Sequence, residues 1–190
     1  MTWAIVLSAG ASTRMGQPKA LLLDASGRTF LQAIVDAARA GGCAGVLVVL
    51  GPPHGDAIRS ALPGGVVPAV NDEPERGMLS SVQTGLLALP ETVTAAIVWP
   101  VDIPLVRPET VRAILDAHMH NIVVPTHNNR GGHPLRLPRR LFGEVLALAP
   151  ERGLKQLLET HAGEVERLAV ADRGVLVDFD TPEEYARTRS

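Results

Sequence analysis

Unbroken apolar runs of strand length recur along the chain. They are WAIVLS over residues 3–8, AGVLVVL over 44–50, AAIVW over 95–99 and NIVVP over 121–125. A run apolar at nearly every position predicts a strand buried on both faces. Between these runs the apolar positions fall at helical spacing. Phe30, Leu31, Ile34, Val35 and Ala38 form one stripe over 29–40, and Gly41-Gly42 stops it. A short helix near 55–62 and a strand near 66–70 follow. Residues 78–89 (MLSSVQTGLLAL) predict a helix despite Gly85. Pro108 and Glu109 start another, with Val111, Ile114 and Leu115 as its stripe. Residues 130–137 fit the return of a hairpin or a short crossing strand. Helices near 139–148 and 152–162 come next, then strands near 165–170 and 174–179. A last helix opens at Thr181-Pro182-Glu183-Glu184, with Thr181 as cap, Pro182 at the first position and Glu184 closing a capping box.

Buried strands alternating with helices predict an α/β fold, a mostly parallel sheet covered on both faces. Such sheets bind ligands beyond the carboxyl ends of their strands. The segments after Ser8, Val70, Trp99 and Pro125 are therefore the places to look for chemistry.

Composition narrows the class. The chain has 190 residues, within the range of one domain, and neither repeat nor linker divides 1–190. Basic residues number 18 and acidic 20, so no basic excess serves a nucleic-acid backbone. A small anion needs only a few local cations and stays possible. The single cysteine, Cys43, allows no intrachain disulfide and no multi-cysteine metal site; near a helix end it reads as a small hydrophobe. No apolar run reaches the ~18 residues of a membrane span, and the first residues read as a strand rather than a signal peptide. A reduced, cytoplasmic setting is the expectation.

After the first strand the chain reads Leu7-Ser8-Ala9-Gly10-Ala11-Ser12-Thr13-Arg14-Met15-Gly16-Gln17-Pro18-Lys19. The small residues Ser8, Ala9, Gly10, Ala11 and Ser12 let backbone N–H groups approach an anion closely. Arg14 and Lys19 can join them around a triphosphate. The spacing matches neither the Gly-x-Gly-x-x-Gly dinucleotide pattern nor the Walker pattern. A surface loop with two solvated cations is the bland alternative.

This string resembles the opening signature of the sugar-nucleotide-type nucleotidyltransferases, and within them the molybdenum cofactor nucleotidyltransferases. Further segments agree: Asn71 through Gly85 resembles an Asn…Gly-Met-x-x-Ser…Gly motif, and Pro100-Val101-Asp102-Ile103-Pro104 a Pro-x-Asp-x-Pro motif. Gly132-His133-Pro134 resembles a Gly-His-Pro motif, and Asp178-Phe179-Asp180-Thr181-Pro182-Glu183 the closing Asp-x-Asp-Thr-Pro-Glu. Leu7-Ser8-Ala9-Gly10 is closer to the Leu-Ala-Ala-Gly of the cytidylyl branch than to the Leu-Ala-Gly-Gly of the guanylyl branch, though Ser8 departs from both. Pro150-Glu151-Arg152-Gly153 departs from the Gly-Asp-x-Gly that relatives often carry.

The resemblance implies a Rossmann-like three-layer sandwich and transfer of a nucleoside monophosphate, CMP from CTP by the Ala9 criterion, onto the phosphate of molybdopterin. Pyrophosphate leaves. An acceptor phosphate is already ionised at neutral pH, so catalysis reduces to positioning and charge neutralisation. Asp102 and Asp180 are the implied ligands of Mg²⁺, with Asp178 in reserve, and Arg14 and Lys19 the neutralising cations. Ser8, Ala9, Gly10 and Ser12 fall to the nucleotide; the Gly77–Ser81 segment closes over the base, with Ser80 or Ser81 as its hydrogen-bond partner, and Asn71 falls to base or acceptor. The Ala9 methyl would take room that a two-ring base needs. Arg130, Gly132 and His133 fall to the acceptor, and a transient contact with a molybdoenzyme or its maturation chaperone is implied. Two other readings stay open. One is a nucleotidyltransferase for a sugar phosphate or another metabolite; the other is a non-catalytic nucleotide- or pterin-binding accessory protein.

Overall fold

The computed structural model describes residues 1–149 and 153–187. In chain order the regular elements are β1 (Thr2–Ser8), α1 (Phe30–Gly41), β2 (Gly45–Leu50), α2 (Gly55–Ser60), β3 (Val67–Val70), α3 (Met78–Leu87) and β4 (Ala95–Pro100). Then follow α4 (Pro108–Asp116), β5 (Ile122–His127), β6 (Arg130–Gly131), β7 (Leu135–Pro138), α5 (Phe142–Ala147), α6 (Gly153–Thr160), β8 (Val165–Ala169) and α7 (Pro182–Arg187).

The strands form one sheet in the order β3-β2-β1-β4-β7-β5. Strands β3, β2, β1 and β4 run parallel. β7 is antiparallel to both its neighbours. Val123 of β5 pairs with Arg136 on one side and Glu166 on the other, so β8 forms the parallel edge beyond β5. The expected mixed α/β sheet, mostly parallel, is the fold observed. Its short crossing strand is β7.

The continuous apolar runs are explained by cover on both faces. Ala4, Val6, Val48 and Trp99 point to a layer with Leu31 and Ile34 of α1 and Ile114 of α4. Ile5, Leu7, Val49 and Val98 point to the opposite layer with Leu79, Val82 and Leu86 of α3. Gly85 costs α3 about 1 kcal/mol of helix propensity, whereas each buried Leu or Val contributes about 1.5–3 kcal/mol. The helix therefore forms. A Cβ at Gly85 would stand 2.4 Å from Ile5 Cγ2, so glycine is what lets α3 lie close on β1.

A third, small cluster joins Met15, Leu22, Phe30 and Phe179, with the Phe30 and Phe179 rings 5.0 Å apart. It seats segment 177–180 against the loop after β1. The expected strand over 174–179 is replaced by a 3-10 turn at Arg173–Leu176. The Asp172 side chain accepts from the Gly174 N–H at 2.9 Å and caps that turn. The capping box at Thr181 and Glu184 forms as expected: Glu184 N–H donates to Thr181 Oγ1 at 3.3 Å and Thr181 N–H to Glu184 Oε2 at 3.0 Å. Of the segment Pro150–Gly153, only Gly153 lies within the described residues, so the contribution of that departure lies outside them. The Cys43 thiol is buried, and burial pushes it up to about 12, so it is inert as a nucleophile. No helix among the described residues is long and apolar enough to cross a membrane.

Candidate active site

A cleft of about 290 Å³ opens at the carboxyl ends of β1 and β4. Its lining includes Leu7, Ser8, Ala9, Gly10, Ser12 and Arg14 from β1 and the loop after it, Lys19, Asp102 and Asp180, and Gly77, Met78 and Ser81 at the start of α3. The cations and carboxylates that stand far apart in sequence thus share one space. Lys19 Nζ donates to Asp102 Oδ2 at 2.9 Å and to Asp180 Oδ1 at 2.6 Å. An Arg14 terminal guanidinium nitrogen lies 2.9 Å from Asp180 Oδ2.

Each of these groups is held by local chemistry. The turn after β4 is stiffened by Pro100 and Pro104, and the buried Trp99 indole N–H donates to the Ile103 carbonyl at 2.8 Å. Val101 N–H donates to the Leu7 carbonyl at 3.1 Å, tying that turn to β1. Phe179 N–H donates to the Asp102 carbonyl at 3.0 Å, and this bond brings Asp180 beside Asp102. Lys19 begins a 3-10 turn, and its own N–H donates to Ser12 Oγ at 3.3 Å. Asp178 is exposed and is not among the residues lining the cleft.

Burial pulls the Lys19 amine down, but the hydrogen bonds and charges of Asp180 and Asp102 outweigh it, and the net shift is upward. Lys19 hydrogen bonding holds the Asp180 carboxyl below the usual carboxylate range, with Arg14 adding to it. Lys19 and Asp180 are therefore both charged at neutral pH.

The fit to a divalent cation rests on the two carboxylates. Asp102 and Asp180 aim oxygens at one point, which the Lys19 ammonium marks. Among the described residues no group of three or more His, Cys, Asp or Glu could hold a metal. Two carboxylates with substrate phosphates completing the shell is the arrangement Mg²⁺-type cations use. The donor set suits a cation that arrives with a triphosphate.

The other expected nucleotide residues divide. Gly10 has nothing within 4 Å of where a Cβ would stand, so the space beside it is open to a ligand. Ala9 is 2% exposed, and a Cβ at Gly51 would stand 2.8 Å from its methyl. Its methyl thus lies beside Gly51, while the residue still borders the cleft. Ser81 lies on the cleft wall. Asn71 and Ser80 lie behind it, buried and hydrogen-bonded to one another at 2.8 Å. Asn71 also donates to Ser81 Oγ at 2.9 Å and accepts from Glu73 N–H at 3.0 Å. Its amide is fully used inside the protein.

A second cavity of about 510 Å³ adjoins the cleft, and Met78 borders both. Its walls are mostly apolar, including Leu79, Val82, Leu135, Leu154 and Leu158. Gly132 and His133 line it. His133 Nδ1 is buried without a partner, and burial pulls the imidazole below the usual histidine range, against the Asp102 charge. The ring is thus neutral. Gly132 has a structural reason as well: a Cβ there would stand 2.2 Å from the Val175 carbonyl oxygen. Arg130 is exposed in the two-residue β6 and does not line this cavity. Asn128 and Asn129, at φ 50° and 61°, form the two-residue hairpin turn between β5 and β6. Lys155 and Arg167 do line the cavity. Nothing in their sequence spacing marks them; α6 and the pairing of β8 with β5 bring them there.

Comparison with known proteins agrees with this geometry. A family model described as a MobA-like NTP transferase domain matches residues 4–165. The chain is 40% identical over 122 residues to the bifunctional protein GlmU of Corynebacterium aurimucosum, covering 60% of this chain and 25% of that protein. It therefore spans well under half the length of the GlmU relatives it matches, 39% in the Caulobacter vibrioides protein. It is 29% identical to a probable molybdenum cofactor guanylyltransferase of Natronomonas pharaonis, with 97% and 95% of the two chains aligned. It is 24% identical to the molybdenum cofactor cytidylyltransferase of Escherichia coli, with 95% and 92% aligned. Among solved structures, Rv0371c of Mycobacterium tuberculosis superposes with a TM-score of 0.86 at 32% identity, covering 100% of this chain and 97% of that one. A manganese complex of Rv0371c gives 0.79 at 29%, with 98% and 97% covered.

Proposed function

The chain belongs to the MobA-like NTP transferase domain family, whose chemistry is nucleotidyl transfer, and from that premise we propose that it moves CMP from CTP onto the phosphate of molybdopterin. The observation that carries the acceptor is the apolar second cavity joined to the charged cleft at Met78. A flat heterocycle fits walls of leucine and valine; a sugar would strand its hydroxyls there. The base assignment rests on Leu7-Ser8-Ala9-Gly10.

In this reading the acceptor phosphate oxygen attacks the α-phosphorus, the bond to the pyrophosphate oxygen breaks, and pyrophosphate leaves. No proton must move, so no side chain serves as base. Arg14 and Lys19 neutralise the triphosphate and the departing pyrophosphate. Asp102 and Asp180 would hold Mg²⁺, which supplies charge stabilisation at the phosphoryl oxygens when bound. Backbone of Ser8, Ala9 and Gly10 approaches the nucleotide. Neutral His133 offers Nδ1 to the acceptor.

The test crosses CTP, GTP and ATP with molybdopterin and a sugar 1-phosphate, read by pyrophosphate release and product mass. The expected product is the cytidine dinucleotide of molybdopterin. Efficient use of the sugar phosphate alone would overturn the acceptor, and a preference for GTP would overturn the base.

A further inference from the structure

Two cations line the second cavity, Lys155 and Arg167, and among the described residues no Asp or Glu lines it. Arg167 lies on β8 in parallel register with Val124 of β5, and both border the cavity. Side chains alternate along a strand, so Val165 and Arg167 share the cavity face and Glu166 takes the other. Glu166 accepts from His118 N–H at 3.2 Å and from Asn121 Nδ2 at 3.3 Å. It is thus engaged away from Arg167. The Arg167 guanidinium lies near Gly131, where a Cβ would stand 3.9 Å from its Nη1. Among the described residues no side chain pairs with that guanidinium. Lys155 comes from α6, and its Nζ lies 3.8 Å from Glu159 Oε1 in a pair exposed on both sides. Such a pair holds its ammonium only weakly.

An apolar cavity whose only charges are positive suits an anion with an apolar body. That anion is not the phosphate that attacks. The attacking group must meet the nucleotide in the charged cleft, and neither Lys155 nor Arg167 lines that cleft. We propose that the acceptor carries a second anionic group, apart from the phosphate that receives the nucleotide, and that Arg167, helped by Lys155, holds it. A carboxylate, a thiolate or another compact anion can accept from the guanidinium's fork of N–H donors. A sugar phosphate charged only at its phosphate leaves both cations unmet and is disfavoured. The inference rests on the acceptor reading of this cavity and adds a charge requirement to it.

The test uses two probes of similar size that lack a phosphate, pterin-6-carboxylate and 6-hydroxymethylpterin. Their binding is read by pterin fluorescence, without nucleotide, for wild type, Arg167→Gln, Arg167→Lys and Lys155→Gln. Wild type is expected to bind the carboxylate about tenfold tighter than the alcohol, the scale of one hydrogen bond to a charged group. Arg167→Gln should remove most of that preference, and Arg167→Lys should restore part of it. Lys155→Gln should reduce it less. Affinity for the alcohol should stay the same in Arg167→Gln, which a general disturbance of the cavity would not allow. Equal binding of the two probes to wild type, or an unchanged preference in Arg167→Gln, overturns the second anion site. Failure of both probes to bind wild type overturns the acceptor reading of the cavity, and the proposal falls with it.

Discussion

The backbone N–H of Phe179 reaches the backbone carbonyl of Asp102 at 3.0 Å, and this bond sets the spacing of the two carboxylates that face Lys19. Side chains on Asp102 and Asp180 are thus placed by main chain, not by each other. Asp102→Ala removes one carboxylate and leaves the backbone bond in place. It is expected to lower metal-dependent transfer by at least about 10²-fold. The melting temperature should stay close to wild type. Pyrophosphate release and a thermal melt read both, and undiminished turnover would remove Asp102 from the mechanism.

Lys19 touches both carboxylates and lines the cleft. Lys19→Ala is expected to cost on the order of 3–4 kcal/mol of transition-state stabilisation, the scale of one strong preorganised electrostatic contact. The loss should fall on kcat. Steady-state kinetics with varied acceptor checks it, and a change confined to acceptor KM would contradict the role.

Asp172 is 6% exposed and accepts from Arg107 N–H and Thr110 Oγ1, both at 2.8 Å, as well as from Gly174 N–H. It caps the first turn of α4 from a distant segment. Asp172→Ala leaves those buried donors unpaired and is expected to destabilise the fold by about 2 kcal/mol. Urea unfolding measures it; a loss below a few tenths would show that water replaces the carboxylate.

That cap marks the boundary of what the sequence makes legible. The strands β1, β2 and β4 follow from unbroken apolar runs, because cover on both faces leaves no polar position. The convergence of Arg14, Lys19, Asp102 and Asp180 follows from the family motifs. Partnerships between distant segments do not. Arg136 is a charged residue in a short strand, yet it is 2% exposed and donates to the Leu115 and Ala117 carbonyls at the end of α4. Asn71 reads as a ligand-binding amide, yet three internal partners consume it. Periodicity reports which face is apolar; it carries no record of which polar group a remote segment satisfies.

His161 places Nδ1 2.9 Å from Glu164 and Nε2 2.8 Å from Glu144. Both ring nitrogens can donate only when the ring is protonated, so the hydrogen bonds to Glu164 and then Glu144 raise its pKa. A raised value means the stabilisation is fully present below the unfolded histidine range and is lost as pH rises through the folded value. Wild type should therefore lose melting temperature on going from slightly acid to slightly alkaline pH at low salt. His161→Gln should remove that part of the slope. Equal slopes in the two proteins would show that the ring does not charge.

Met78 borders both cavities and is 60% exposed. On the proposed chemistry, two molecules enter by separate doors and one long molecule must leave. The joined dinucleotide grips both chambers at once, and tethering the halves raises the effective concentration of each at its own site. The product is then the tightest ligand the protein meets. Departure rather than bond formation would set the pace of turnover, and any partner able to draw the dinucleotide away would act as an accelerator without touching the reacting phosphorus.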